Sequence, residues 1–294
     1  MRVLITGGGG FLAGHLSAYL QTIADLEVRS LRRADCDLAT DQERLSAVLR
    51  GFKPAVVFHL AGRISGSESD LDRDNRLATA NLLTALRNDC PAARVVFGST
   101  AAVYAEGGTA ATPTMESDRT NPRGSYGTSK YACEQEARSY AEHGGWIVIA
   151  RMSNPVGSNM DVSLLCGTLA KQVVEIERGK VPVVTLRDLS PKRDFISARD
   201  CARALWHLSQ FGKSGETYNV ASARSTSIGE VVEIYKSLAR VGPIEVRTVP
   251  VKGERSPVQE QWLSNAKLLA LGWTPQMTLR QAISDQLDAE RARA

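Results

Sequence analysis

Tyr126 and Lys130 stand four residues apart in "SYGTSKYACEQEA", one turn along the same face of a predicted helix. A phenol is a poor acid near neutrality, with an ordinary pKa of about 10, but a nearby ammonium favours its phenolate and pulls that value toward the working range. Such a pair can give or take a proton at a carbonyl or alcohol oxygen. Thr100, where "VVFGSTAAVY" ends an apolar run, offers a hydroxyl that can hold the same oxygen in place.

A second constellation lies at the start of the chain, in "MRVLITGGGGFLAGHL". Glycine is costly to fix, so four in a row call for a reason. The arrangement suits a phosphate cradle: Gly7 makes the turn, Gly10 lets the backbone approach a pyrophosphate, and the following helix aims its N-terminal amides at the anion. Val3 to Thr6 read as a buried strand, and Phe11, Leu12, His15, Leu16, Tyr19 and Leu20 recur at helical spacing after the loop. Ala13 takes the third small position of the dinucleotide fingerprint.

The elements that must position these groups alternate. "LEVRSL", "AVVFHLAG", "ARVVFGS" and "WIVIAR" read as buried strands, and "QERLSAVLRG", "NRLATANLLTALRN" and "SKYACEQEARSYAEH" carry helical periodicity between them. This predicts an α/β, doubly wound parallel sheet of Rossmann type, with ligands beyond the carboxyl ends of the strands. Gly7 to Gly10, Arg32, Ala61 to Arg63, and Ser99 to Thr100 fall there. After Arg151 the segments shorten and are broken by Pro155, Pro182, Pro191, Pro243, Pro250 and Pro257, so a smaller C-terminal substrate-binding α/β lobe is expected. The boundary is placed between residues 152 and 153, with parts of 193–222 returning to the first domain.

Composition narrows the function classes. The chain has 294 residues, 43% of them hydrophobic and 23% charged, as in globular proteins. A formal charge of +4 without a basic run gives no support for nucleic-acid binding. Cys36, Cys90, Cys133, Cys166 and Cys201 are odd in number and far apart, which suggests neither a disulfide framework nor a zinc site and fits a cytoplasmic protein. No apolar run approaches the length of a membrane span, and no targeting segment is read. His15 and His59 are assigned structural places, and no metal site is expected.

Taken in order, these stretches resemble the extended short-chain dehydrogenase/reductase family, the nucleotide-sugar epimerases, dehydratases and reductases, from Met1 to about Leu279. The resemblance implies cofactor contacts at "TGGGGFLAG" (Gly7, Gly9, Gly10, Phe11 and Leu12), at Asp37 and Leu38 beside the adenine, and at Leu60, Ala61 and Gly62 of "HLAG". It adds Asn75, which opens "NRLATANLL". Thr100, Tyr126 and Lys130 become the catalytic set, with the Tyr126 and Lys130 side chains also meeting the cofactor. Substrate contacts are implied at Arg63 and Thr100, at Asn154 in "RMSNPVG", at Arg193 in "KRDFISARDCARAL", and at Arg255. Arginine is the natural bidentate partner of a diphosphate.

Strand two ends in "VRSLRRAD", where an NAD-preferring fold would place Asp or Glu; Arg32 and Arg33 welcome a 2′-phosphate, so NADP(H) is preferred over NAD(H). Family dehydratases resemble T-D-E-V-Y after the catalytic hydroxyl, whereas "TAAVY" puts Ala101 and Ala102 at the acid pair. The expected activity is therefore NADPH-dependent reduction of a nucleotide-linked 4-keto-6-deoxy sugar, in the manner of GDP-4-keto-6-deoxy-mannose reductases. An NAD-dependent 4-epimerase acting on a UDP-sugar is the alternative, and an NAD(P)-binding regulatory module the non-enzymatic one. The family further implies a homodimer, paired through the helices that begin near Asn75 and Tyr126.

Overall fold

The computed structural model describes residues 1–104, 112–122, 124–249 and 259–293. The first domain-sized layer is laid down by strands β1 (Arg2–Thr6), β2 (Glu27–Leu31), β3 (Val56–His59), β4 (Arg94–Thr100) and β5 (Ile147–Met152). Between them run helices α1 (Phe11–Leu20), α2 (Gln42–Phe52), α3 (Glu68–Leu71), α4 (Ala78–Asp89) and α5 (Gly124–Glu142). A π-helical run, Asp72–Leu77, joins α3 to α4, and a 3-10 turn, Ala101–Val103, follows β4.

β3 and β5 are buried at every position, as strands covered on both faces must be. Helices α2, α4 and α5 cover one face around Leu45, Leu82 and Phe97. On the other, α1 and α7 (Ala198–Phe211) pack together over Val3, Phe58 and Ala150. A sixth strand, β10 (Thr217–Val220), pairs with β5, so the sheet order is β10-β5-β4-β3-β1-β2. Every pairing is parallel. The order reverses between β1 and β3, which is where an open α/β sheet leaves its ligand crevice.

Most of the remaining elements build the smaller lobe: β6 (Asn154–Val156), α6 (Leu165–Glu177), β7 (Val183–Leu186), β8 (Lys192–Arg193), β9 (Phe195–Ser197), β11 (Thr226–Ser227), α8 (Ile228–Leu238), β12 (Glu245–Thr248), β13 (Glu260–Gln261) and α10 (Leu279–Arg293). The short α9 (Ala266–Leu269) instead packs its buried Leu268 into the main sheet's core beside β10. A core of Val156, Leu169, Val173, Tyr235, Ile283 and Leu287 holds α6, α8 and α10 together. Asp194 staples the lobe to the sheet: its buried carboxylate accepts from the Ser153 and Ser222 hydroxyls and from the backbone of Ser222, Ala223 and Leu263. All five cysteines are buried free thiols. Among the described residues no helix is long and apolar enough to cross a membrane, and no cluster of His, Cys, Asp or Glu is arranged to hold a metal.

Candidate active site

A cleft of about 1140 Å³ opens at the sheet's switch point, between the ends of β1, β3 and β4 and the first turns of the smaller lobe. Gly7, Gly9, Gly10, Phe11, Leu12, Arg32, Arg33, Asp37, Leu38, Leu60, Ala61, Gly62, Arg63, Thr100, Tyr126, Lys130 and Asn154 all line it. The spread of these residues across the sequence is closed by topology, since each lies at or just past the end of a main-sheet strand or in the first two turns of the helix that follows one.

The glycines divide by what holds them. Gly7 has φ +73°, and a Cβ there would lie 2.7 Å from the Ala61 backbone, so the β1 and β3 exits meet only because this residue is bare. A Cβ on Gly9 meets nothing within 4 Å. The fold does not require glycine at that point, which leaves close approach of a ligand as its use. Gly10 caps α1 without a side-chain hydrogen bond, and no acidic residue sits in the first helical turn. The positive end of the helix is therefore open to an anion. These features fit the diphosphate of a dinucleotide.

Side chains of α4 and the π-helical run fix the other loops of the cleft. Asn75 accepts from the Arg63 backbone N–H at 2.7 Å and donates to the Arg63 carbonyl and the Ser129 hydroxyl. It stands outside the cleft lining, behind the loop that carries Arg63. Asn81 donates to the Leu38 and Ala39 carbonyls in the same way. Thr79 gives its proton to the Asn75 carbonyl at 2.7 Å, so its oxygen must accept from His59 Nε2, 3.0 Å away. His59 Nδ1 then accepts from Thr6 at 2.7 Å, and Thr6 accepts from the Ala61 N–H. A neutral, fully buried His59 thus ties β1, β3 and α4, and burial followed by the Lys130 charge lowers its pKa to about 3.

At the β4 end, the Thr100 hydroxyl accepts from the Ala102 N–H at 3.2 Å, and Thr100 and Tyr126 both line the cleft. Burial pushes Tyr126 up to about 12; the nearby Thr100 hydroxyl opposes this and Cys133 adds to it. The expected lowering of the phenol by the Lys130 ammonium is not met, because burial dominates. The ammonium lies 4.2 Å from the Phe97 ring centre, its own pKa lowered by burial. One turn further along α5, Glu134 accepts from the Ser99 hydroxyl at 2.6 Å and from Arg151, locking α5 to β4 and β5.

The cationic residues are arranged unequally. Arg32, the first residue after β2, is exposed on the cleft wall, and among the described residues its guanidinium pairs with no carboxylate; Asp35 instead accepts from its backbone N–H. Arg33 pairs with Asp37 at 3.0 Å and Asp74 at 2.9 Å. Asn154 donates its amide to the Asp194 carbonyl at 2.7 Å from within the cleft lining. Arg193 is on β8, outside that lining, and donates to the Lys192 carbonyl. Arg255 lies outside the described residues.

Similarity to known proteins agrees with this geometry. The model of the NAD dependent epimerase/dehydratase family matches residues 3–221. The GDP-6-deoxy-D-mannose reductase of Pseudomonas aeruginosa is 28% identical, with 96% of this chain and 94% of that protein aligned. A putative UDP-glucose 4-epimerase of Methanocaldococcus jannaschii is 27% identical over 96% and 95% of the two chains. Among solved structures, RMD from Pseudomonas aeruginosa complexed with NADPH superimposes with a TM-score of 0.91 at 28% identity, covering 100% of this chain and 99% of that one. The Thermus thermophilus UDP-glucose 4-epimerase complex with NAD gives 0.87 at 27% identity, with both chains covered completely. The chain belongs to the NAD dependent epimerase/dehydratase family and is an NAD(P)-dependent oxidoreductase of the extended short-chain dehydrogenase/reductase type.

Proposed function

We propose that this enzyme reduces a nucleotide-linked 4-keto-6-deoxy sugar, GDP- or dTDP-linked, with NADPH. The observation that carries the choice is Arg32, an exposed guanidinium at the end of β2, on the cleft wall and beside Arg33, where a 2′-phosphate would lie. Gly7, Gly9, Gly10 and the α1 N-terminus would hold the diphosphate, Asp37 and Leu38 the adenine, and Lys130 the nicotinamide ribose. When bound, the dinucleotide supplies the hydride that the ketone carbon accepts. Thr100 orients the carbonyl oxygen, and Tyr126, held protonated by burial, donates a proton to it. Ala101 and Ala102 leave no carboxyl group to move protons at the neighbouring carbons, which disfavours water elimination. Arg63 and Asn154 face the substrate side, and the lobe after residue 152 closes over the nucleotide sugar.

A second reading, an NAD-dependent 4-epimerase acting on a UDP-sugar, is favoured by one observation: the two carboxylates on Arg33 already neutralise part of the charge offered to a 2′-phosphate. The readings separate in one experiment. Incubation with GDP-, dTDP- and UDP-linked 4-keto-6-deoxy sugars and NADPH should consume the reduced nicotinamide, and the purified enzyme should arrive largely free of cofactor. Tightly retained NAD with no NADPH consumption on any ketosugar would overturn the reductase and favour the epimerase. We also infer a cytoplasmic homodimer, supported by five buried thiols and by the shared helices of the family. A monomer by light scattering would count against the pairing.

A further inference from the structure

Arg33 is restrained by an anion that cannot follow it. Asp74 Oδ2 accepts from Arg33 Nη1 at 2.9 Å and from Arg63 Nε at 2.7 Å, while Oδ1 accepts from Arg73 Nη1 at 3.2 Å. Its side chain is 7% exposed and stands on the π-helical run, next to Asn75, whose amide is committed to the Arg63 backbone. Burial works against the charge of Asp74, but hydrogen bonds from Arg33 and Arg63 hold its pKa below the usual carboxylate range. The carboxylate is therefore a fixed negative charge on the wall of the cleft. Arg33 is 52% exposed at its side chain, and Asp37 holds it from the other side.

We propose that Asp74 is a specificity-determining residue that competes with the cofactor's 2′-phosphate for Arg33 and so limits the preference for NADP(H) over NAD(H). This rests on the reading that Arg33 meets the 2′-phosphate. A phosphate arriving at Arg33 must share that guanidinium with Asp74 or displace it, and it meets a like charge in doing so. NAD(H), which ends in a 2′-hydroxyl, is not subject to this competition. Among the described residues Arg32 carries no such restraint, so the two neighbouring arginines make unequal contributions. Arg63 and Arg73 give Asp74 its fixity: with their contacts in place, the carboxylate does not swing away when Arg33 is drawn toward a ligand.

The test is calorimetric titration of NADP⁺ and NAD⁺ into wild-type enzyme, Asp74→Asn, Asp74→Ser, Arg33→Ala and the double variant Arg33→Ala with Asp74→Asn, each checked for an intact thermal transition. Two substitutions at Asp74 guard against a single variant that fails to fold. The NADP⁺/NAD⁺ affinity ratio should rise about 2- to 5-fold in Asp74→Asn or Asp74→Ser, the range of a partly exposed ion pair. It should fall in Arg33→Ala, and in that background Asp74→Asn should leave it unmoved. A general structural role for Asp74 would shift both affinities together and leave the ratio alone. A ratio unchanged or lowered by both Asp74 substitutions, with Arg33→Ala still lowering it, overturns the role of Asp74 by itself. A ratio untouched by Arg33→Ala overturns that role together with the assignment of Arg33 to the 2′-phosphate.

Discussion

Glu134 takes the Arg151 guanidinium on both carboxylate oxygens, Nε to Oε1 at 2.9 Å and Nη2 to Oε2 at 2.7 Å, with both side chains almost wholly out of water. Arg151 also lies over the Tyr104 ring at 4.5 Å, and its third nitrogen, Nη1, has no hydrogen-bond partner among the described residues. A charge pair in this setting stabilises only as a pair. Removing one partner strands the other, at a cost of about 3–5 kcal/mol. Glu134→Gln should therefore lower the free energy of urea unfolding by that order and, by releasing Ser99 and the α5 contact to β4, reduce kcat as well. An unfolding midpoint equal to wild type would show that Arg151 finds another partner.

The glycine loop predicts a separation of stability from binding. Gly7→Ala forces a Cβ into the Ala61 backbone at a positive φ, and should cost more than 1 kcal/mol in thermal stability. Gly9→Val places its side chain in open space, so the melting temperature should hold while dinucleotide affinity falls at least 10-fold. Thermal melts and cofactor titrations of the two variants, side by side, check the division.

His59 predicts an acid limb in the stability profile. Its folded pKa is depressed to about 3 from an ordinary 6.5, so between those values the unfolded chain takes up a proton that the folded chain refuses. Its contribution is fully present above pH 6.5 and is lost as the pH falls toward 3, with a slope of up to about 1.4 kcal/mol per pH unit. His59→Gln should be less stable at neutrality and show a flatter dependence on pH. Denaturant titrations from pH 4 to 8 measure both slopes.

Tyr126→Phe removes the proposed proton donor without changing the shape of the cleft. Turnover should fall by about 10²-fold or more while cofactor affinity is retained. Lys130→Met should weaken cofactor binding as well, because the ammonium is assigned to the ribose. Near wild-type turnover in Tyr126→Phe would remove the phenol from the mechanism.

Much of this site is legible in the sequence because strand period and helix period place it. The predicted runs "AVVFHLAG" and "ARVVFGS" contain β3 and nearly all of β4, so residues after them had to meet at one sheet edge. Tyr126 and Lys130 share a helix face by spacing alone. What the sequence hid was the state of the charges. Asp74 sits in "DLDRDNR", whose spacing points to no distant partner, and only the folded chain brings Arg33 and Arg63 to it. The Tyr126 phenol was read from its neighbour four residues away, whereas burial, a property of the whole cleft, dominates its acidity. Asp194 likewise draws its partners from three separate segments, and spacing gives no hint of such a junction.

The π-helical run between α3 and α4 has a bearing on how this enzyme could be altered. Such a run spaces its backbone hydrogen bonds one residue wider than an α-helix, so losing a single residue from Asp72–Leu77 would let the segment relax to ordinary winding. Helix α4 could keep its apolar face on the sheet, while Asp74 and Asn75 would rotate by roughly 100° relative to the turns beside them. One deletion would then detach both arginine-holding contacts at once, together with the buried Asn75 hydrogen bond to Ser129 of α5. A lineage, or an engineer, could in this way revise the grip on the cofactor in one step of length rather than by successive substitutions.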